Sequence, residues 1–138
     1  MNRGDLQRLA EARLEDARVL LAGRRYAAAY YLAGYAIECG LKACIAKRVK
    51  RYDFPSSANF SREVFTHRLV DLVRHAELRE ALADKIVDSS EFELNWGVVA
   101  GWSEESRYDQ KTRREAEALL NAITDVPDGV MAWIRLNW

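Results

Sequence analysis

Glu38 and Lys42 are the acid and the base most out of place in this chain. They sit within Tyr30-Tyr31-Leu32-Ala33-Gly34-Tyr35-Ala36-Ile37-Glu38-Cys39-Gly40-Leu41-Lys42-Ala43, a run otherwise made of small, aliphatic and aromatic residues. A spacing of four puts both heads on one helical face, in the favourable acid-first order. Glu38 follows Gly34 by four and precedes Leu41 by three, so it lies on the apolar stripe and not opposite it. A buried carboxylate is costly unless it is paired or hydrogen-bonded. Two readings stay open. The pair is an internal ion bridge that fixes helix register, or both charges face a cleft and meet a phosphate or an arginine.

A second group lies late in the chain. Ser106-Arg107-Tyr108-Asp109 is followed closely by Lys111, Arg113 and Arg114. Arg and Tyr beside a helix start can grip an anion, because free backbone N–H groups point the same way. The alternative is that Arg107 pairs with Glu38, Glu104 or Glu105. Lys47, Arg48, Lys50 and Arg51 form a third group at the end of a helix. There they complement the helix dipole or touch a phosphate backbone. Tyr26, Tyr30, Tyr31 and Tyr35 crowd one helix and cannot all face one core, so some should lie at the surface or in a dimer interface. Two His and two Cys lack ligand spacing, so no metal site and no cofactor is expected.

The elements that would position these groups are helices. Two Pro in 138 residues, with abundant Ala, Leu, Glu and Arg, favour helix. Asp5 is a candidate N-cap for a first helix running to about Ala22, with Leu6, Ala10, Leu14, Ala17 and Leu21 inward and Gly23 ending it. A second helix spans about Arg25 to Lys50, with Tyr30, Gly34, Ile37, Leu41, Ile45 and Val49 on its stripe. The short connection makes the two an antiparallel hairpin. Pro55, Ser56, Ser57 and Asn59 mark a mobile loop between Tyr52 and Phe65. Thr66 reads as the N-cap of a short helix through Ala76. A longer one spans Leu78 to about Ala100, with Leu82, Ile86, Phe92, Trp96 and Val99 inward. Trp102 to Lys111 reads as a polar connection. Thr112-Arg113-Arg114-Glu115 is a capping box for the last helix, whose stripe is Ala116, Leu119, Ile123 and Val126. Pro127-Asp128-Gly129 should kink or break it. Strand signals are absent, which predicts an all-α up-and-down bundle of about five helices.

Length sets one domain over residues 1–138 as the expectation. Cys39 and Cys44 lie about 140° apart around a helix, so they cannot bridge each other and read as core thiols of a reducing compartment. Met1-Asn2-Arg3-Gly4-Asp5 gives no signal pattern, and the longest apolar run is interrupted by Glu38 and Lys42. A cytoplasmic protein without membrane contact is expected. Net charge is zero but uneven: residues 1–52 hold 11 Lys/Arg against 5 Asp/Glu, and residues 53–138 hold 10 against 16. That permits a nucleic-acid contact, a self-complementary dimer, or simple neutralisation between the halves.

In these residues the chain resembles the HEPN family of small helical domains. The resemblance rests on Ala27 to Ala43, in the form Ala-x-x-Tyr-x-x-x-x-x-Ala-Ile-Glu-x-x-Leu-Lys-Ala. Thr66-His67-Arg68-Leu69-Val70-Asp71-Leu72 and Ser106-Arg107-Tyr108 support it. It implies a four- or five-helix bundle, usually a homodimer. Many members are metal-independent RNases, often toxins encoded beside a small nucleotidyltransferase. In those, an Arg and a His separated by four to six residues cut RNA through its 2′-hydroxyl, the His as acid or base and the Arg stabilising phosphate charge. Here the matching Arg is Arg107, and the allowed His positions hold Thr112, Arg113 and Arg114. Arg62 with His67 and Arg68 with His75 fit the spacing, but away from the family's location. His67 in a Thr-His start reads as a local capping or packing residue.

The combined expectation is a HEPN-like dimer that binds nucleotide or RNA without the usual RNase activity. Glu38, Lys42, Arg107 and Tyr108 would form its cleft, with Lys111 and Arg113 at the rim, Glu38 orienting Arg107 and Lys42 meeting phosphate. The alternatives are a metal-independent RNase with a degenerate site using Arg107, Tyr108 or His67, and a protein-interaction module. The binding dimer is also expected to partner a small nucleotidyltransferase in a toxin–antitoxin-type pair, whereas the interaction module, such as a nucleotidyltransferase partner, would have no nucleic-acid role.

Overall fold

Asn2 accepts a hydrogen bond from the Asp5 backbone N–H while the Asp5 carboxylate accepts one from the Asn2 backbone N–H. This capping box starts α1 (Arg3–Ala22) three residues earlier than an Asp5 cap would. The computed structural model describes residues 1–52 and 65–138, and side chains for all of these except 50–52. The expected loop around Pro55 to Asn59 lies outside the described residues, as do Arg62 and the side chains of Lys50 and Arg51.

After α1 come α2 (Tyr26–Tyr52), α3 (Leu69–His75), α4 (Arg79–Asp88), α5 (Ser90–Ala100), a 3₁₀ turn (Glu104–Tyr108), α6 (Arg113–Thr124) and α7 (Val130–Asn137). The described residues thus hold seven α-helices and no strand, which is the all-α class with more helices than the expected five. None of these helices is long and apolar enough to cross a membrane.

At 27 residues, α2 is about 40 Å long and forms the axis of the bundle. α1 runs along it, and α3, the 3₁₀ turn, α6 and α7 also pack on it. Gly34, Ile37, Leu41 and Ile45 are buried as their spacing requires, whereas Tyr30 is half-buried and Val49 is exposed. Gly34 admits an aromatic ring: a Cβ added there would lie 2.2 Å from the Trp102 indole.

Several boundaries differ from the sequence reading. The C-terminal boundary of α1 is as expected, with Gly23 as its C-cap, but Gly23 has φ −82 and it is Arg24 that takes the left-handed conformation (φ 62). Thr66 does not cap α3. Its hydroxyl accepts from the Arg68 N–H in a local turn, and Arg68 is the cap residue with no side-chain bond. The single helix expected from Leu78 to Ala100 is two, because Ser89 is extended (φ −139, ψ 111) and caps α5 through the Phe92 N–H. The Trp102–Lys111 connection contains the 3₁₀ turn, with Ser103 accepting from the Glu105 N–H. The Thr112–Glu115 capping box forms as expected. Val126 is 82% exposed and not on the core stripe, since α6 ends at Thr124 before Pro127.

Candidate functional site

α2 carries Glu38 into the core at 1% exposure. Its Oε1 accepts from Lys42 Nζ at 2.9 Å and lies 2.7 Å from His67 Nδ1. The other face of the same imidazole, Nε2, is 3.2 Å from Glu104 Oε2. His67 therefore bridges two carboxylates, one from α2 and one from the 3₁₀ turn. With both carboxylates ionised, both contacts are complete only when both ring nitrogens carry a proton. Glu38 Oε2 has no hydrogen-bond partner among the described residues. The partners that Glu38 holds are thus Lys42 and His67. Arg107 does not bond to it, which corrects the expected Glu38–Arg107 pairing. The physical reason is placement: His67 enters just before α3 and reaches the carboxylate first.

Arg107 instead faces the start of α2. An open cleft of about 720 Å³ is lined by Arg24, Arg25, Tyr26, Tyr31, Arg107, Gln110 and Lys111, together with Ala27 and Ala28. That volume is in the range of small-molecule sites. Among the described residues, no Asp or Glu lines it. Arg24 and Arg25 come from the α1–α2 turn, Tyr26 and Tyr31 from α2, and Arg107 and Lys111 from the segment before α6. Arg25 occupies the N-cap position of α2, where a Ser, Thr, Asp or Asn oxygen would normally accept a backbone N–H. The first-turn N–H groups of Tyr26, Ala27 and Ala28 have no partner inside the helix, and these three residues form part of the cleft wall.

Electrostatics keep the cleft cationic. The Tyr108 ring lies 4.9 Å from the Arg107 guanidinium carbon. Tyr108, with smaller contributions from Tyr31 and Glu104, pushes the Arg107 pKa up from its ordinary value, so its charge is permanent. Lys111 Nζ sits 4.5 Å from the Tyr30 ring centre, with Asp109 at 4.0 Å and Glu115 at 3.7 Å. Tyr31 stacks on Trp102 at 6.1 Å, which fixes the ring that forms one cleft wall.

The expected site is therefore split in two. Glu38 and Lys42 are in the buried cluster; Arg107 and Lys111 are in the cleft. Tyr108 is 77% exposed and backs Arg107 without lining the cleft. Arg113 also lies outside it, bound to Glu117 Oε1 at 2.6 Å. Arg48 of the basic run pairs with Glu77, at the far end of α2 from the cleft. Arg24, Arg25 and Gln110 were not singled out by sequence. The adjacent Arg24-Arg25 pair in a helix-to-helix turn was the signal available. Burial pushes the Cys39 thiol up to about 11 and the Cys44 thiol up to about 12, so neither is a poised nucleophile.

Compared with known proteins, the chain matches the family model described as HEPN domain over residues 4–128. No curated protein and no solved structure matches it significantly.

Proposed function

This chain belongs to the HEPN domain family, and from that premise we propose that it binds nucleotide or RNA in the cleft between the start of α2 and the 3₁₀ turn. The observation that carries this reading is convergence: four cationic residues and two tyrosines from three separate segments line one concavity that has no Asp or Glu among its described lining residues. Cations neutralise phosphate and release its counterions, and tyrosine rings offer a stacking face for bases. Arg107 and Lys111 meet phosphate in this reading. Glu38 and Lys42, through His67, hold the 3₁₀ turn that carries Arg107. The family's Arg–His cutting pair is incomplete at residues 112–114, so binding without cleavage is the favoured outcome. We include in the proposal one domain over residues 1–138, a cytoplasmic location, a homodimer and a nucleotidyltransferase partner in a toxin–antitoxin-type pair. Exposed Val87, Leu94 and Val98 on α4 and α5 are the surface that supports an interface.

Fluorescence anisotropy with a labelled single-stranded RNA tests the cleft. Arg107→Ala should weaken binding about ten-fold and lower the log–log salt slope by about one. Unchanged affinity and slope would remove the cleft from the function.

A second reading, metal-independent RNase activity, has one observation in its favour. His67 touches Glu104, which lies three residues from Arg107 in the same 3₁₀ turn and on the same side of it. Labelled RNA incubated in EDTA with wild type, Arg107→Ala and His67→Ala separates the readings. Cleavage lost in both variants supports the RNase, and intact RNA throughout supports binding alone.

A further inference from the structure

α1 ends in a Schellman closure. The Arg25 N–H donates to the Leu20 carbonyl at 2.8 Å and the Arg24 N–H to the Leu21 carbonyl at 3.1 Å. In this motif the residue in Arg24's place adopts a left-handed backbone, and glycine is strongly preferred there. The sequence holds a glycine one position too early: Gly23 has φ −82, and Arg24 carries φ 62. The next position favours an apolar residue that folds back on the helix, and it holds Arg25. Both positions of the closure therefore hold a residue that its stability disfavours.

α3 offers an internal comparison. It ends in the same closure, with Glu77 to Arg74 at 2.9 Å and Leu78 to Val73 at 3.0 Å. Glu77 is the other described non-glycine residue with positive φ. There the strained residue has a partner, because its carboxylate pairs with Arg48. Leu78 supplies the apolar contact position. Arg24 and Arg25 have no ion pair with a described residue. Both residues line the cleft together with Arg107 and Lys111. Strained backbone persists where the surroundings over-determine it, and it clusters at ligand sites.

We infer that Arg24 is a phosphate-binding residue of the cleft, held in glycine's place because its guanidinium contacts a phosphate group of the ligand. This assignment rests on the cleft reading above and adds the α1–α2 turn to it. Arg25 flanks the same phosphate. A guanidinium presents a planar fork of donors that matches two phosphate oxygens, so the ligand class is a phosphodiester or a terminal phosphate of a nucleotide.

The test is Arg24→Gly, which relieves the backbone and removes the cation together, so loss of folding does not confuse it. The probes are a labelled single-stranded oligouridylate and sodium tripolyphosphate. Arg3→Ala at the opposite end of α1 controls for lost net charge. The expected result is a Tm higher by about 2–4 °C, with about ten-fold weaker oligouridylate binding. Arg3→Ala should leave affinity within about two-fold. A higher Tm with unchanged affinity overturns the inference, and so does an equal loss in Arg3→Ala. Weakening by Arg107→Ala alone overturns it while sparing the cleft reading. Wild-type protein that binds neither probe overturns both.

Discussion

Glu38 is a carboxylate at 1% exposure that holds Lys42 at 2.9 Å and His67 at 2.7 Å through one oxygen. Glu38 is buried, but Lys42 and His67 both reach solvent, so removing the carboxylate costs its contacts and leaves a small cavity rather than a stranded buried charge. Glu38→Ala should therefore lower unfolding free energy by about 1–3 kcal/mol, read from urea denaturation. Glu38→Gln should lose less, because the amide keeps an oxygen for Lys42. A loss below about 1 kcal/mol in Glu38→Ala would mean that water reaches the site and screens the pair. The residue types of this cluster were visible in the sequence for Glu38 and Lys42 alone. His67 joins from 29 positions away along the chain, and no local spacing encodes that contact.

Elements explain how the buried cluster and the cleft share one seam. Trp102 precedes the 3₁₀ turn and lies against Gly34, where an added Cβ would come within 2.2 Å of the indole. Gly34→Ala should force the ring and the attached turn outward, destabilising by about 1–3 kcal/mol, measured as a drop in Tm. It should also weaken RNA binding, since Arg107 rides on that turn. Gly40→Ala is the comparison: its nearest contact is the Ile134 Cγ2 methyl at 2.9 Å, a longer approach than the 2.2 Å at Gly34. A Gly34→Ala variant as stable as Gly40→Ala would show that the seam is not tightly packed. Helical periodicity revealed α1, α2 and α6, because their stripes are long. It joined α4 to α5, because Ser89 breaks the helix with a single extended residue that any polar position could supply. It missed the 3₁₀ turn, whose five residues are too short to show a period.

Across the whole molecule, three carboxylates are held ionised by hydrogen bonds: two close the capping boxes of α1 and α6, and Asp128 ties the turn before α7 to the start of α5. Asp5 is pulled below its ordinary pKa by the Asn2 backbone N–H, Glu115 by that of Thr112, and Asp128 by the Ser89 hydroxyl. A pKa lower in the folded chain than in the unfolded one means that the unfolded chain binds protons first as pH falls. Stability from these groups is complete above the ordinary carboxylate range and is lost as pH drops through their folded values. The urea midpoint should hold steady down to about pH 5 and then decline. A midpoint unchanged at pH 3 would contradict it. The uneven charge between the two halves does not make the cleft by itself: Arg24 and Arg25 come from the basic half, Arg107 and Lys111 from the acidic half. The sequence alone determined the helical class, the place of Glu38 on an apolar stripe with Lys42 one turn on, and the capping box at Thr112. These depend on spacings within one helix, where 3.6 residues per turn fixes which side chains are neighbours. Only the tertiary structure decided that His67 and not Arg107 meets Glu38, and that Arg24 and Arg25 face Arg107. Such pairings join segments whose separation along the chain carries no period, so packing around α2 settles them.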